Sequence, residues 1–252
     1  DASKRHYNTG PERIRRQVDN SLRVLGDEVS IIDLYQLHVY DPEVPHEAHA
    51  ELMSELVEEE KIRAWGVSNY SNQQLTDLLR ACDERGLDHP ATSQPFHNIL
   101  SVKGTSAITL AQKAGMVVLA HSPLLKSALT ERRFAEITDF ITSRQEKSSD
   151  EEQGVIVAMQ PTIERLQRLI EMAHGRERNL PQLAIAWTLQ DSHTITLTTP
   201  TNPTYLAEAL DALEWKLESD ITEVIDELRT DVAGVELFSD NAHRLVRSFR
   251  GY

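Results

Sequence analysis

The stretches IIDLYQLHVY at 31–40 and RAWGVSNYS at 63–71 decide the fold class. Each is a continuous apolar run that turns abruptly polar, at His38 in the first and at Ser68-Asn69 in the second. Strands that are apolar throughout are buried on both faces, as in parallel sheets covered by helices. The segment between them, HEAHAELMSELVEEEK, places Leu52 and Leu56 among acids and reads as an amphipathic helix. The whole is a strand-helix-strand unit. In such sheets the loops at the carboxyl ends of the strands converge on one face and carry the chemistry. His38 and the Ser68-Asn69 pair are therefore candidates for one site.

The same alternation extends in both directions. Pro11, after Thr9-Gly10, suits the first turn of a helix whose buried face is Ile14, Val18, Leu22 and Leu25, with Gly26 as its stop. Ser71 is a good N-cap for NQQLTDLLRACDERG, which Gly86 ends. A strand at 91–96, a helix at 105–114 and a strand at 116–120 follow, the last running into His121-Ser122-Pro123. Residues 130–160 are charged, Ser-rich and only partly periodic, with SRQEKSSDEEQG the clearest loop; they predict an insertion or mobile loop. Helices at 161–174 and 180–189, a strand at 194–199, a helix opened by Asn202-Pro203 and another at 218–228 complete the pattern before a tail at 235–252.

Five strands alternating with helices imply an α/β fold with a parallel sheet and right-handed crossovers. An open doubly wound sheet satisfies that count, and so do the last five strands of an eight-stranded barrel. The 252 residues read as a single α/β domain, long enough for a substantial core. Its hydrophobic share of 40% and charged share of 26% are ordinary for a globular protein. The net charge of -14 disfavours nucleic-acid and anionic-membrane binding, which need clustered positive charge. The lone Cys82 excludes an internal disulfide framework and fits a reducing compartment. With no apolar run near the ~20 residues that span a bilayer, and no signal-peptide pattern, a cytoplasmic location is expected. The chain opens at Asp1 and reaches its first helix within ten residues with no strand ahead of it, and so reads as one whose front has been lost.

Three stretches in order, SLRVLGDEVSIIDLYQLH at 21–38, ELVEEEKIRAWGVSN at 55–69 and AHSPL at 120–124, resemble the aldo-keto reductases. The resemblance runs from about residue 10 to about residue 226. It implies a (β/α)8 TIM barrel, incomplete here, with about the last five strand-helix units present. It also implies reduction of a small aldehyde or ketone with NADPH. By the same resemblance His38 is the active-site histidine that orients the substrate carbonyl, and Lys4 is the candidate for the supporting lysine. The family's catalytic tyrosine and aspartate fall on earlier strands that have no counterpart here.

Ser68, Asn69 and Gln94 match the positions that hold the nicotinamide carboxamide, whose donors and acceptors suit hydroxyl and amide partners. Ser122 and Leu124 match contacts near the cofactor diphosphate. Thr201, Asn202 and Glu208 match the segment for the adenosine phosphate and adenine, where a helix N-terminus favours an anion. Departures are specific. His121 stands where an aromatic, most often tyrosine, stacks on the nicotinamide. Leu197-Thr198-Thr199-Pro200 replaces an Ile-Pro-Gly-Ala type of turn. Tyr205 occupies the place of an arginine that clasps the 2′-phosphate, which admits NADH beside NADPH. His46 and His49 are expected on a solvated helix face rather than at a metal, and no metal is expected. The alternative reading is a barrel-derived regulatory or partner subunit without turnover.

Overall fold

The computed structural model describes residues 9–26, 28–102, 104–144 and 149–234. The chain forms two compact units, Asp1–Phe96 with Gly104–Leu119, and His97–Lys103 with Ala120–Tyr252.

In the first unit α1 (Pro11–Leu25), β1 (Ile32–Leu37), α2 (His46–Glu58), β2 (Ile62–Ser68), α3 (Asn72–Arg85), β3 (Thr92–Gln94), α4 (Thr105–Lys113) and β4 (Val117–His121) alternate. The last two residues of β4 belong to the second unit. β1 pairs with β2, β2 with β3 and β3 with β4, all parallel. Sequence neighbours are thus sheet neighbours, as helical crossovers of this length require. The register sets Leu37 beside Val67 and Ser68 beside Gln94, so the polar strand ends fall at one level.

Local signals place the helices. Pro11 opens α1, Ile14 and Val18 are buried, and Leu22 packs partly buried against the same core. Leu25, at the last helical position, is exposed rather than part of that face. Ser71 and Gln74 form a reciprocal capping box at the start of α3, and Gly86 ends it in the left-handed region that glycine enters without strain. The inner face of α3 carries Leu75, Leu78, Leu79 and Cys82, and burial pushes the Cys82 thiol up to about 11. α2 corrects the expectation for its histidines. His49 is fully buried, its Nε2 within 3.0 Å of both the Thr9 carbonyl and the Thr9 hydroxyl. His46 stacks on Tyr40 at 4.8 Å. Both sit where α2 meets the chain rather than on its solvated face, and burial holds both imidazoles below their ordinary pKa.

The second unit holds α5 (Glu131–Arg144), α6 (Asp150–His174), α7 (Leu180–Thr188), β5 (Thr194–Leu197), α8 (Pro203–Asp211) and α9 (Ser219–Gly234). Residues 131–144 and 150–160 are helical where a loop was expected over 130–160, and residues 145–148, in the middle of SRQEKSSDEEQG, lie outside the described residues. Ser149 and Glu152 form a capping box, and α6 then runs through Pro161 instead of starting there. Ile156 and Met159 of α6 share a small core with Ile141 of α5, which gives each of these helices a buried face. Pro161 removes one helical hydrogen bond, to the carbonyl of Val157, and the Val157 side chain lies on the exposed face, where water reaches the backbone most readily. Leu166, Leu169 and Ile170 of α6 join Ile221, Val224 and Leu228 of α9 in the main core of this unit. Arg165 of α6 also bonds Glu227 and Asp231 of α9, each at 2.6 Å. The tail at 235–252 lies outside the described residues.

One close approach constrains the first unit. A Cβ on Gly66 of β2 would stand 2.0 Å from Thr92 Oγ1 and 2.8 Å from the Thr92 carbonyl oxygen on β3. Gly66→Ala must therefore push two paired strands apart. It is expected to destabilise the protein by about 1–3 kcal/mol, as overpacked cores do. Urea unfolding measures this, and an unchanged midpoint would contradict the steric account.

Candidate active site

The first cluster lies on the carboxyl ends of β1, β2 and β3. Ser68 Oγ, itself buried, donates to the Gln94 carbonyl at 2.8 Å. Asn69 has φ 60, a left-handed conformation that Asn tolerates better than most residues. Its backbone N–H donates to the same Gln94 carbonyl at 3.2 Å. Its Nδ2 donates to Ser68 Oγ and to the His38 carbonyl, both at 3.0 Å. His38, Ser68, Asn69 and Gln94 are therefore one hydrogen-bonded set, and the His38 side chain is exposed to whatever enters.

A further residue completes it. Gln94 Nε2 donates to Gln36 Oε1 at 3.0 Å, and Gln36 Nε2 donates to Thr92 Oγ1 at 3.1 Å. Gln36 fixes which way the Gln94 amide faces. The signal for it was present: Gln36 is a polar residue in the apolar strand β1, two residues before His38.

The second cluster belongs to the other unit and surrounds the end of β4. His121 Nδ1 lies 3.1 Å from Ser122 Oγ. Ser122 has φ 59 and is followed by Leu125, Lys126 and Ser127 at φ 46, 52 and 72, a run of left-handed residues without glycine. Such backbone costs about 1 kcal/mol per residue and persists only where its surroundings hold it. The Ser122 carbonyl accepts from Leu125 N at 3.0 Å and from Asn98 Nδ2 at 3.3 Å. The His121 carbonyl accepts from His97 N at 3.1 Å. Leu124 packs against the unit's main core. His97 and Asn98 were missed by sequence reasoning, although QPFHN is polar immediately beyond a strand end.

The third group lies at the start of α8. Thr201 and Asn202 are exposed and Glu208 is half-buried. Asn202 Oδ1 accepts from Tyr205 N at 3.0 Å, so it is the N-cap and already satisfies one of the helix's first amides. Tyr205 is exposed on the first turn. Lys4, the proposed lysine, lies outside the described residues. Among the described residues no three His, Cys, Asp or Glu converge as metal ligands would. Among them, too, no helix is long and apolar enough to cross a membrane.

His97 carries the strongest electrostatic signature of the second cluster. Its ring lies 4.7 Å from that of Trp187, and the Arg229 guanidinium lies 4.7 Å over the same indole. Burial, with the Arg229 charge adding to it, pulls the imidazole from 6.5 down to about 4. The folded state thus rejects a proton that the unfolded chain accepts between those values. Stability is full above pH 6.5 and falls as the pH drops through that window, by about 3 kcal/mol at most from His97. His97→Phe should shrink the loss in urea-unfolding stability between about pH 7 and about pH 5. An undiminished loss in the variant would assign the pH dependence elsewhere.

A sequence profile described as the aldo/keto reductase family matches residues 1–230. The chain is 30% identical over 241 residues to the aldo-keto reductase YhdN of Bacillus subtilis (strain 168), covering 93% of this chain and 69% of that protein. It is 28% identical over 194 residues to an L-glyceraldehyde 3-phosphate reductase of Escherichia coli (strain K12), covering 73% of this chain but only 54% of the relative. The crystal structure of an aldo-keto reductase from Klebsiella pneumoniae in complex with NADPH superposes with a TM-score of 0.64 at 24% identity, over 86% of this chain and 64% of that one. That likeness gives the fold, an α/β barrel of aldo-keto reductase type to which the described residues supply five strands. The profile match over nearly the whole chain, the relatives and the fold agree: this chain belongs to the aldo/keto reductase family.

Proposed function

We propose that this chain serves an NAD(P)H-dependent oxidoreductase that reduces a small aldehyde or ketone to an alcohol. The observation that carries the reading is the hydrogen-bonded set of Ser68, Asn69 and Gln94 beside the exposed His38 on three adjacent strand ends. A nicotinamide carboxamide is donor and acceptor at once, and two side-chain amides with a hydroxyl are the groups that match it. The cofactor, when bound, supplies the hydride. Ser68, Asn69 and Gln94 orient its reactive face, with Gln36 fixing the Gln94 amide. His38 donates to the substrate carbonyl oxygen and helps set its angle of approach, an effect of orientation and charge stabilisation together.

Ser122 and Leu124, on the turn after β4, are assigned to the diphosphate by the family resemblance, and His121 takes the place of the aromatic residue in that pattern. Thr201, Asn202 and Glu208 serve the adenosine end, where the amides of α8 not used by its own cap favour a phosphate. Tyr205 in place of a clasping arginine supports use of NADH beside NADPH.

The test is titration of NADPH and NADH, separately, into the 252-residue chain, followed by tryptophan fluorescence. Saturable binding is expected, with the dissociation constant about tenfold higher in Gln94→Leu, the loss of one or two polar contacts. A folded chain that binds neither cofactor would sink the reading and favour a partner subunit without turnover.

A further inference from the structure

The turn after β4 is held from a distance within its own unit. Asn98 is fully buried, and its side chain is committed at both ends: Oδ1 accepts from Leu100 N at 3.1 Å while Nδ2 donates to the Ser122 carbonyl at 3.3 Å. It staples the loop after β3 to the left-handed turn after β4. The loop is itself held by Arg229 of α9. Arg229 Nη1 donates to the Asn98 carbonyl at 3.2 Å and to the Ser101 carbonyl at 3.0 Å. The guanidinium rests on Trp187, which also meets His97, whose backbone N–H holds the His121 carbonyl. Two routes through the same loop therefore run from Arg229 to the backbone of His121 and Ser122.

This is an expensive way to tie a loop. Burial disfavours the Arg229 charge and the nearby Asp226 carboxylate favours it, while its guanidinium also meets two carbonyls and an aromatic face. Tying the loop this way desolvates a cation, which an exposed ion pair would not do. It suits a backbone that must be kept in an unfavourable conformation. Ser122 and the run Leu125, Lys126 and Ser127 are such a backbone.

We infer that Arg229 is a positioning residue for the turn after β4, acting through Asn98 and through Trp187 with His97. The inference rests on the proposed role of that turn in cofactor binding. It makes helix α9 a determinant of cofactor affinity without requiring it to touch the cofactor.

The test compares the 252-residue chain with Arg229→Met, Asn98→Asp and Arg165→Met. Arg229→Met keeps the bulk and removes the donors. Asn98→Asp keeps the shape and puts an acceptor where the Ser122 carbonyl needs a donor. Arg165→Met breaks the bonds from α6 to Glu227 and Asp231, and so loosens the same helix α9 without touching the loop. Amide exchange by mass spectrometry and NADPH titration are read together. Both Arg229→Met and Asn98→Asp should speed exchange in the peptide 121–129 and raise the NADPH dissociation constant about tenfold. Arg165→Met should lower the melting temperature and change neither. Unchanged exchange at 121–129 overturns the inference, as does an equal effect of Arg165→Met, or faster exchange with unaltered affinity. If the parent chain binds no NADPH at all, the proposed function fails, and with it the assigned purpose of the turn. The exchange data alone then decide whether Arg229 holds it.

Discussion

The first unit depends on the near contact of two strand backbones at Gly66 and Thr92. With no Cβ in the way, β2 and β3 approach closely enough for the Thr92 side chain to occupy the space a residue at 66 would fill. That side chain then receives Gln36, which orients Gln94, whose carbonyl collects Ser68 and Asn69. A packing constraint in the middle of the sheet thus becomes a hydrogen-bond relay at its end. The relay is short, and each member spends its polar atoms on the next, which is how side chains are fixed before any ligand arrives.

The two clusters share a backbone device. β2 is followed by Asn69 and β4 by Ser122, both in the left-handed region and both tied by hydrogen bonds to an adjoining segment. A left-handed residue directly after a strand turns the chain sharply and exposes its polar side chain at the sheet end. Asn suits the first position on its own chemistry. Ser and the non-glycine residues after it do not, and there the surrounding contacts do the holding. The same local geometry is therefore reached by residue choice in one unit and by tertiary restraint in the other.

What the sequence disclosed follows from this distinction. Features set by neighbours a few residues away were legible: the caps at Ser71, Gly86 and Asn202, the apolar strands β1 and β2, and the abrupt polarity at His38 and Ser68-Asn69. His38 and the Ser68-Asn69 pair stood out because they end strands, and Gln94 through the family resemblance, while Gln36, which bonds Gln94, did not stand out. Features set by distant partners were not. Asn98 and Arg229 stand 131 residues apart and have meaning only together. His49 looked solvated because acids flank it, while the partner that buries it, Thr9, lies 40 residues away. The helix at 131–144 and the first turns of α6 were obscured by charge, since Ile141, Ile156 and Met159 form a small core of their own.

Cys82 gives the first unit a chemical clock. As the sole cysteine it is the only thiol in the chain, it is fully buried on the inner face of α3, and its environment keeps it protonated well beyond neutral pH. A thiol reagent in solution meets neither an accessible sulfur nor an appreciable thiolate while α3 is seated. Alkylation then requires the inner face of α3, with Leu75 and Leu78, to come away from its packing, so its rate reports how much of the time that face is open.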